Sequence, residues 1–279
     1  MAGRPSGIRT LDAWMNGEFV GSWTVQAQRH HFSYADTWLA SPYARPLSLS
    51  LPLAQGTTPF SGDRVENYFD NMLPDSLDIR KRVATRFGAF STRAFDLIEK
   101  IGRDCVGAVQ LMPGGSTPPD ARQINAEPLT EAGVAKLLDE TLATPVPGNL
   151  DDSDGLRISL AGAQEKTALL LHEGRWCVPR GATPTTHILK LPLGQVGRSR
   201  ADFSTSVENE WLCARLVAAF GLKVASSRIE RFGRHKVLVV QRFDRALLGD
   251  WWARLPQEDF CQVLGLPPGR NTRIRAAPA

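Results

Sequence analysis

Two stretches of this chain can belong to neither a helix nor a central strand, and they limit how everything else can be arranged. Pro113-Gly114-Gly115-Ser116-Thr117-Pro118-Pro119 lacks backbone donors at its prolines and loses much backbone entropy at its glycines if ordered, while Pro145 to Gly155 is rich in Pro, Gly, Asp and Asn. The first closes an amino-terminal unit, 1–112. The second ends a segment, 113–155, that reads as a linker with one helix. A further unit then spans 156–269, with an irregular basic tail at 270–279. With 42% of its 279 residues apolar and 22% charged, the chain can bury one sizeable core or two modest ones, and disordered and collagen-like classes are excluded.

Charge and cysteine narrow the function classes. Of 33 basic residues against 29 acidic, Arg270, Arg273 and Arg275 lie in the tail, so the body is near neutrality. A pI of about 9.0 therefore does not describe a nucleic-acid face, and DNA is not expected as a direct ligand. Cys105, Cys177, Cys213 and Cys261 form no C-x-x-C, which predicts four buried thiols and neither a zinc site nor a redox pair. No apolar run approaches membrane-spanning length and no apolar segment follows the early arginines, so no membrane contact and a cytoplasmic location are expected.

The first fifty residues read as short antiparallel strands, with an Asn16-Gly17 turn and a strict alternation over Leu47-Ser48-Leu49-Ser50-Leu51. Ser76 is placed to cap a helix whose Ile79, Val83 and Phe87 form one stripe before Gly88, and Thr92 to cap another ending at Gly102. A capped helix starts at Thr130. Strands follow at Leu156–Leu160, Thr167–Leu171, Trp176–Val178 and His187–Leu191, then a helix from Ser206 to Phe220 stopped by Gly221, and a last strand, Val237–Val240, with the unbroken apolar character of a strand buried on both faces.

Between the first two of these strands, Ala161, Gly162, Ala163 and Gln164 form a loop whose small side chains leave backbone N–H groups accessible to phosphate oxygens; a tight hairpin needs the same residues. Lys166 follows directly. Lys190 stands in an otherwise apolar strand on the face of Ile188, where it either needs an anion or lies on an edge and reaches water. Glu210 shares a helix face with Cys213, Ala214 and Val217 and is a candidate partner for Lys190, a solvated glutamate being the other reading. Glu208, nearer the helix start, suits the positive end of the helix dipole. Small-residue loop, strand lysine, helix glutamate and buried strand occur in the order by which a protein-kinase amino lobe holds ATP.

Longer motifs carry a family resemblance. Ile158 to Leu170, Thr183 to Pro192, Asn209-Glu210, Gln241-Arg242-Phe243-Asp244-Arg245 and Leu255-Pro256-Gln257-Glu258-Asp259 closely resemble the HipA toxin serine/threonine kinases, as do Asn67 to Pro74 and Gly102 to Ala108 in the amino-terminal unit. The resemblance implies an α+β architecture: a small sheet with helices, then a kinase-like amino lobe. It implies ATP and Mg²⁺ as cofactors, a HipB-like antitoxin as partner through which alone DNA is met, and a translation protein such as glutamyl-tRNA synthetase as substrate. Ala161 to Lys166, including Glu165, would form the phosphate loop, and Lys190, braced by Glu210, would meet the phosphates. Gln241, Arg242 and Phe243 would form the adenine hinge, with Asp244 near the ribose. Ser159 matches the serine that family members autophosphorylate; an ordinary strand serine is its other reading.

The family's D-x-H-x-K-N segment and its later metal-binding aspartate have no counterpart here, and Asp259-Phe260, with no Gly after it, suits a helix start instead. The carboxyl lobe is thus expected to be largely missing, with apolar faces near Leu255 to Leu266 left bare, and the chain to have little kinase activity by itself. The alternative is a non-catalytic antitoxin-binding remnant, or one part of a split kinase.

Overall fold

The computed structural model describes residues 7–53, 57–117, 120–143, 159–162, 164–196 and 201–270. The strand expected at Leu156–Leu160 lies partly outside them, as do Ala163, the Pro145–Gly155 stretch and nearly all of the tail; Ser159 and Leu160 are not in a strand.

The first unit contains β1 (Arg9–Met15), β2 (Glu18–Gln26), β3 (Arg29–Tyr34), α1 (Asp36–Leu39), β4 (Phe60–Ser61), α2 (Asp63–Asp70), α3 (Leu77–Phe87), α4 (Ala94–Ile101) and β5 (Val109–Pro113). Its strands form an antiparallel sheet in the order β4-β3-β2-β1-β5. Asn16 and Gly17 both take positive φ, 49° and 90°, as a tight hairpin turn requires. Apolar residues of the sheet meet α2 and α4 in an aromatic core, where Trp23 stacks on Phe69 with ring centroids 4.0 Å apart and meets Phe95 edge-on.

Local differences from expectation have local causes. Ser76 caps α3 as read, but α4 starts at Ala94, after Arg93: the Ser91 hydroxyl accepts the Arg93 N–H and donates to Asp96, replacing Thr92 as the organising group. The Leu47–Leu51 alternation is not a strand. Leu47 and Leu51 are buried and Leu49 exposed, but the Leu47 N–H donates to the Tyr34 hydroxyl (2.7 Å), which donates to the Leu51 carbonyl (2.5 Å), so one side chain serves the backbone in place of a ladder.

The second unit contains β6 (Ala126–Pro128), α5 (Glu131–Leu142), β7 (Lys166–His172), β8 (Arg175–Pro179), β9 (His187–Lys190), β10 (Gly194–Val196), β11 (Ala201–Phe203), α6 (Ser206–Ala219), β12 (Ser227–Phe232), β13 (His235–Gln241), β14 (Arg245–Leu248), β15 (Trp251–Arg254) and α7 (Phe260–Leu264). Six strands form one sheet in the order β12-β13-β9-β7-β8-β6; β10 with β11 and β14 with β15 make separate hairpins. Val237–Val240 is therefore not the last strand. The segment read as a linker contributes β6 to this sheet and α5 to its cover, with Val134 and Leu138 packed on Leu169, Leu189, Val237 and Val239. Thr130 caps α5 by accepting the Gly133 N–H. α6 departs most from its reading: of its residues only Val207 is buried, and Cys213, Leu212, Leu216 and Val217 face solvent. Cys213 is thus an exception to the expected four buried thiols.

A buried ionic cluster joins the two units. The Asp104 carboxylate accepts from Arg245 (2.9 Å), Arg254 (3.2 Å), Arg242 (3.4 Å) and the Thr185 hydroxyl (2.6 Å) and backbone N–H (3.0 Å). Asp244 accepts from Arg242, Arg245 and the Gly107 N–H, while guanidinium groups also donate to the carbonyls of Cys105, Gly107 and Ala182. Burial pushes the Asp104 carboxyl up, but the three guanidiniums and Thr185 outweigh it and hold the group well below the usual carboxylate range. Removing one partner of such a cluster leaves buried charge uncompensated, at a cost of about 3–5 kcal/mol. We expect Asp104→Asn to lower unfolding free energy by that amount in urea titrations at pH 7. Because the folded carboxyl titrates below the unfolded one, the wild-type advantage is full above pH ~4 and shrinks as pH falls through the range below it; an advantage unchanged down to pH 2 would contradict this assignment.

Candidate functional site

Register across the second sheet determines which side chains share its face opposite α5. Lys166 lies across from Lys190, Ala168 from Ile188, Leu238 from Lys190 and Val240 from Ile188. That face carries an apolar strip, Ala168, Ile188 and Val240, with two ammonium groups at one end. Since β9 lies between β13 and β7, the edge-strand reading of Lys190 is excluded.

Each lysine is held differently. Lys190 Nζ donates to Glu210 Oε1 at 2.5 Å, and two residues earlier Glu208 pairs with Lys236 of β13, so two ion pairs fasten the start of α6 to the sheet. Glu208 thus has a charged partner beyond the helix dipole. Glu210 reaches Lys190 from a half-exposed position, not from the apolar helix face expected of its neighbours. Lys166 Nζ donates to the Ala161 carbonyl at 2.9 Å. Burial, and then the adjacent Lys190 ammonium, lower the Lys166 pKa to about 8. Gly162, at φ 104°, folds over this amine, and a Cβ there would lie 3.0 Å from Nζ; both the conformation and the space call for glycine.

The loop is fastened at both ends. Ser159 is fully buried, its N–H donating to the Asp104 carbonyl (3.0 Å) and its hydroxyl to the Met72 carbonyl (2.7 Å). Gly162 bridges to Pro74, and its carbonyl accepts the Asp75 N–H (3.2 Å). Gln164 Nε2 donates to the Leu191 carbonyl, and Glu165 pairs with Arg82 of α3.

The hinge residues divide. Gln241 and Phe243 are exposed, and the Arg242 N–H donates to the Thr186 carbonyl (2.9 Å). The side chains of Arg242 and Asp244 are buried in the inter-unit cluster, which corrects the placing of Asp244 beside a ribose: its oxygens are occupied by Arg242, Arg245 and the Gly107 N–H. Asp259 caps α7 in a reciprocal capping box with Gln262. Among the described residues no group of three or more His, Cys, Asp or Glu side chains could hold a metal ion, and no helix is long and apolar enough to cross a membrane.

Asp104 and Arg245 lie within the resembling motifs without a role that spacing assigns, and Arg82 and Arg254 carry no local sequence signal. The available signal was the charged run Arg242-Phe243-Asp244-Arg245 directly after an apolar strand, where burial demands compensating charge elsewhere.

Comparison with known proteins agrees with this geometry. A HipA N-terminal domain model matches residues 11–112 and a HipA-like C-terminal domain model residues 158–276. A Sinorhizobium fredii protein named "Putative kinase Y4mE" is 38% identical over 94% of this chain and 60% of its own length. The serine/threonine-protein kinase toxin HipA of Shewanella oneidensis is 28% identical over 92% of this chain and 55% of its own length. The solved structure of Shewanella oneidensis HipA with HipB and operator DNA superposes with a TM-score of 0.66 at 27% identity, covering 93% of this chain and 57% of that one. The chain therefore spans between half and two thirds of the length of these relatives. Both family domains, in order and on a matching fold, place this chain in the HipA family.

Proposed function

We propose that this chain forms the nucleotide-binding part of a HipA-type toxin serine/threonine kinase. The observation that carries the reading is the pair of ammonium groups of Lys166 and Lys190, set in register on neighbouring strands beneath a loop with no side chain at Gly162. Two like charges, one of them desolvated, are stabilised by an anion between them, and a triphosphate beside exposed backbone N–H groups supplies it. The phosphates would rest on Lys166, Lys190 and the loop from Ala161 to Lys166. The base would lie on the strip of Ala168, Ile188 and Val240, its edge toward the backbone of Gln241 to Phe243. Magnesium fits less well: the described residues hold no carboxylate cluster for it, and Glu210 is engaged by Lys190, so no step is assigned to the metal.

The protein substrate, of the class of glutamyl-tRNA synthetase, and a HipB-like antitoxin are further parts of the proposal. The antitoxin is supported by the HipA–HipB–DNA complex to which this fold is similar. DNA would be met only through that partner, in the cytoplasm. Ser159 is the proposed autophosphorylation site; being fully buried, its hydroxyl becomes reactive only when the loop leaves its seat.

A second reading, a non-catalytic chain that binds nucleotide and antitoxin or completes a separately encoded lobe, is favoured by the described carboxylates, which form no metal-holding cluster and of which Asp244 is engaged by Arg242 and Arg245. Loss of general-base help typically costs ~10²–10⁴ in rate. Phosphate transfer from labelled ATP to glutamyl-tRNA synthetase, or to Ser159, is accordingly expected at background for the 279-residue chain, and sustained turnover would refute the expectation.

Binding itself has a proton signature. Lys166, with a pKa of about 8 when free, is stabilised as an ammonium by bound phosphates. ATP binding at pH 8 should therefore take up part of a proton, and affinity should fall as pH rises above 8. Calorimetry in two buffers of different ionisation enthalpy measures the uptake. Lys166→Met should abolish it and weaken binding about 10- to 100-fold, as loss of a charged hydrogen bond would; ATP binding with no proton uptake would remove Lys166 from the site.

A further inference from the structure

We infer that Arg82, on α3 of the amino-terminal unit, is a positioning residue for the phosphate-side loop of the second unit. The inference rests on the nucleotide reading of that loop, and adds to it a control exerted from outside the kinase-like unit.

Among the described residues the first unit ties the loop at its start, where the Asp104 carbonyl also accepts the Ser159 N–H, at its turn and at its end. The Met72 carbonyl accepts the Ser159 hydroxyl at the loop's start, Pro74 and Asp75 pair with the backbone of Gly162 at its turn, and Arg82 pairs with the Glu165 carboxylate at its end. The first two use main-chain atoms of the segment joining α2 to α3. The third is made by a first-unit side chain through both its charge and its reach, and the Asp75 carboxylate adds a longer-range attraction to Lys166.

Behind the loop, between α3 and α5, lies a cavity of about 110 Å³ lined by Ile79, Val83, Phe87, Leu137, Leu160 and Lys166. Arg82 and Glu165 also line this pocket, so their ion pair forms part of its wall. The same helix α3 also reaches α5, Arg86 pairing with Glu140, so movement of α3 relative to the second sheet would be felt at both positions.

Glu165 has a second role that makes its orientation matter. Its carbonyl accepts the Leu191 N–H (3.1 Å), and it immediately precedes Lys166 in β7. A carboxylate freed from Arg82 would be a mobile negative charge one residue from the ammonium that the nucleotide needs. Arg82 therefore both holds the loop and neutralises an anion beside the phosphate seat.

Arg82 is partly exposed, with 29% of its side chain accessible, so its replacement should leave the fold intact. Amide hydrogen exchange by NMR on the full chain tests the inference without nucleotide. Arg82→Ala should speed exchange at the hydrogen-bonded amides of Ser159, Asp75 and Leu191 about three- to tenfold, as expected for a half-exposed ion pair, while amides of β9 and β13 keep wild-type rates. Arg82→Lys should recover part of the protection. Glu165→Gln should match Arg82→Ala, and the double variant should add nothing. ATP should then bind Arg82→Ala more weakly by a similar factor. Unchanged loop exchange in Arg82→Ala, or additive effects in the double variant, would overturn the inference. Faster loop exchange in a protein that does not bind ATP at all would uphold the role of Arg82 in holding the loop and reject the nucleotide reading instead.

Discussion

The Asp104 carboxylate is the point on which the two units depend. Its side chain gathers Arg242, Arg245 and Arg254, and its carbonyl takes the Ser159 N–H, so one residue of the amino-terminal unit touches both the segment before the hinge hairpin and the entry to the loop. Three guanidiniums and two carboxylates leave a surplus positive charge in a buried place, which would be unstable without the carbonyls of Cys105, Gly107 and Ala182 directed at it. The backbone around Asp104 is constrained in turn. Gly107 sits at φ 73°, and a side chain there would press on the Gln257 carbonyl at 2.9 Å, so the cluster needs glycine as much as it needs charge.

Electrostatics of the lysine pair follow the opposite logic. At the inter-unit cluster every charge has a partner and none is offered to a ligand. On the sheet face, Lys190 is bonded to Glu210, whereas Lys166 donates to the Ala161 carbonyl, and burial and the Lys190 charge outweigh the longer-range attraction of Asp75 and Glu210. An ammonium bonded to a neutral oxygen gains far less than one bonded to a carboxylate. On the proposed reading, this incompletely compensated cation beneath Gly162 is what an anionic ligand would neutralise.

Elements governed by local chemistry were legible in the sequence. The Asn16-Gly17 turn, the caps at Ser76 and Thr130, the stops at Gly88 and Gly102, and strands β7, β8, β9 and β13 follow from spacing, capping and turn residues within a few positions. The Lys190 and Glu210 pair was legible as a candidate because strand and helix each gave one charged residue on a definable face. What escaped was set by distance along the chain. Asp104 meets partners 81 and 150 positions away, and no periodicity reports such a contact. β6 is too short to show alternation, and α6 misled because its apolar residues suggest a buried stripe while Leu212, Leu216 and Val217 remain exposed. The 27% identity with a solved relative leaves these long-range pairings to be seen only in coordinates.

The balance of forces at Ser159 constrains the autophosphorylation proposed there. The loop is kept in place by a handful of hydrogen bonds, each contributing roughly 0.5–1.5 kcal/mol net, and by one partly exposed ion pair. A phosphoryl group on Ser159 would carry close to two negative charges into a space that is now fully buried and whose nearest acceptor is the Met72 carbonyl, a group that repels it. Leaving such charges unpaired in the interior costs several kcal/mol per ion, more than the ties can offset. The described geometry therefore admits an unmodified Ser159 inside and a modified one only outside, and the same displacement would draw Gly162 off Lys166 and Glu165 off Arg82. On the proposed reading of Ser159, loop position and phosphorylation state would be coupled by the cost of burying charge.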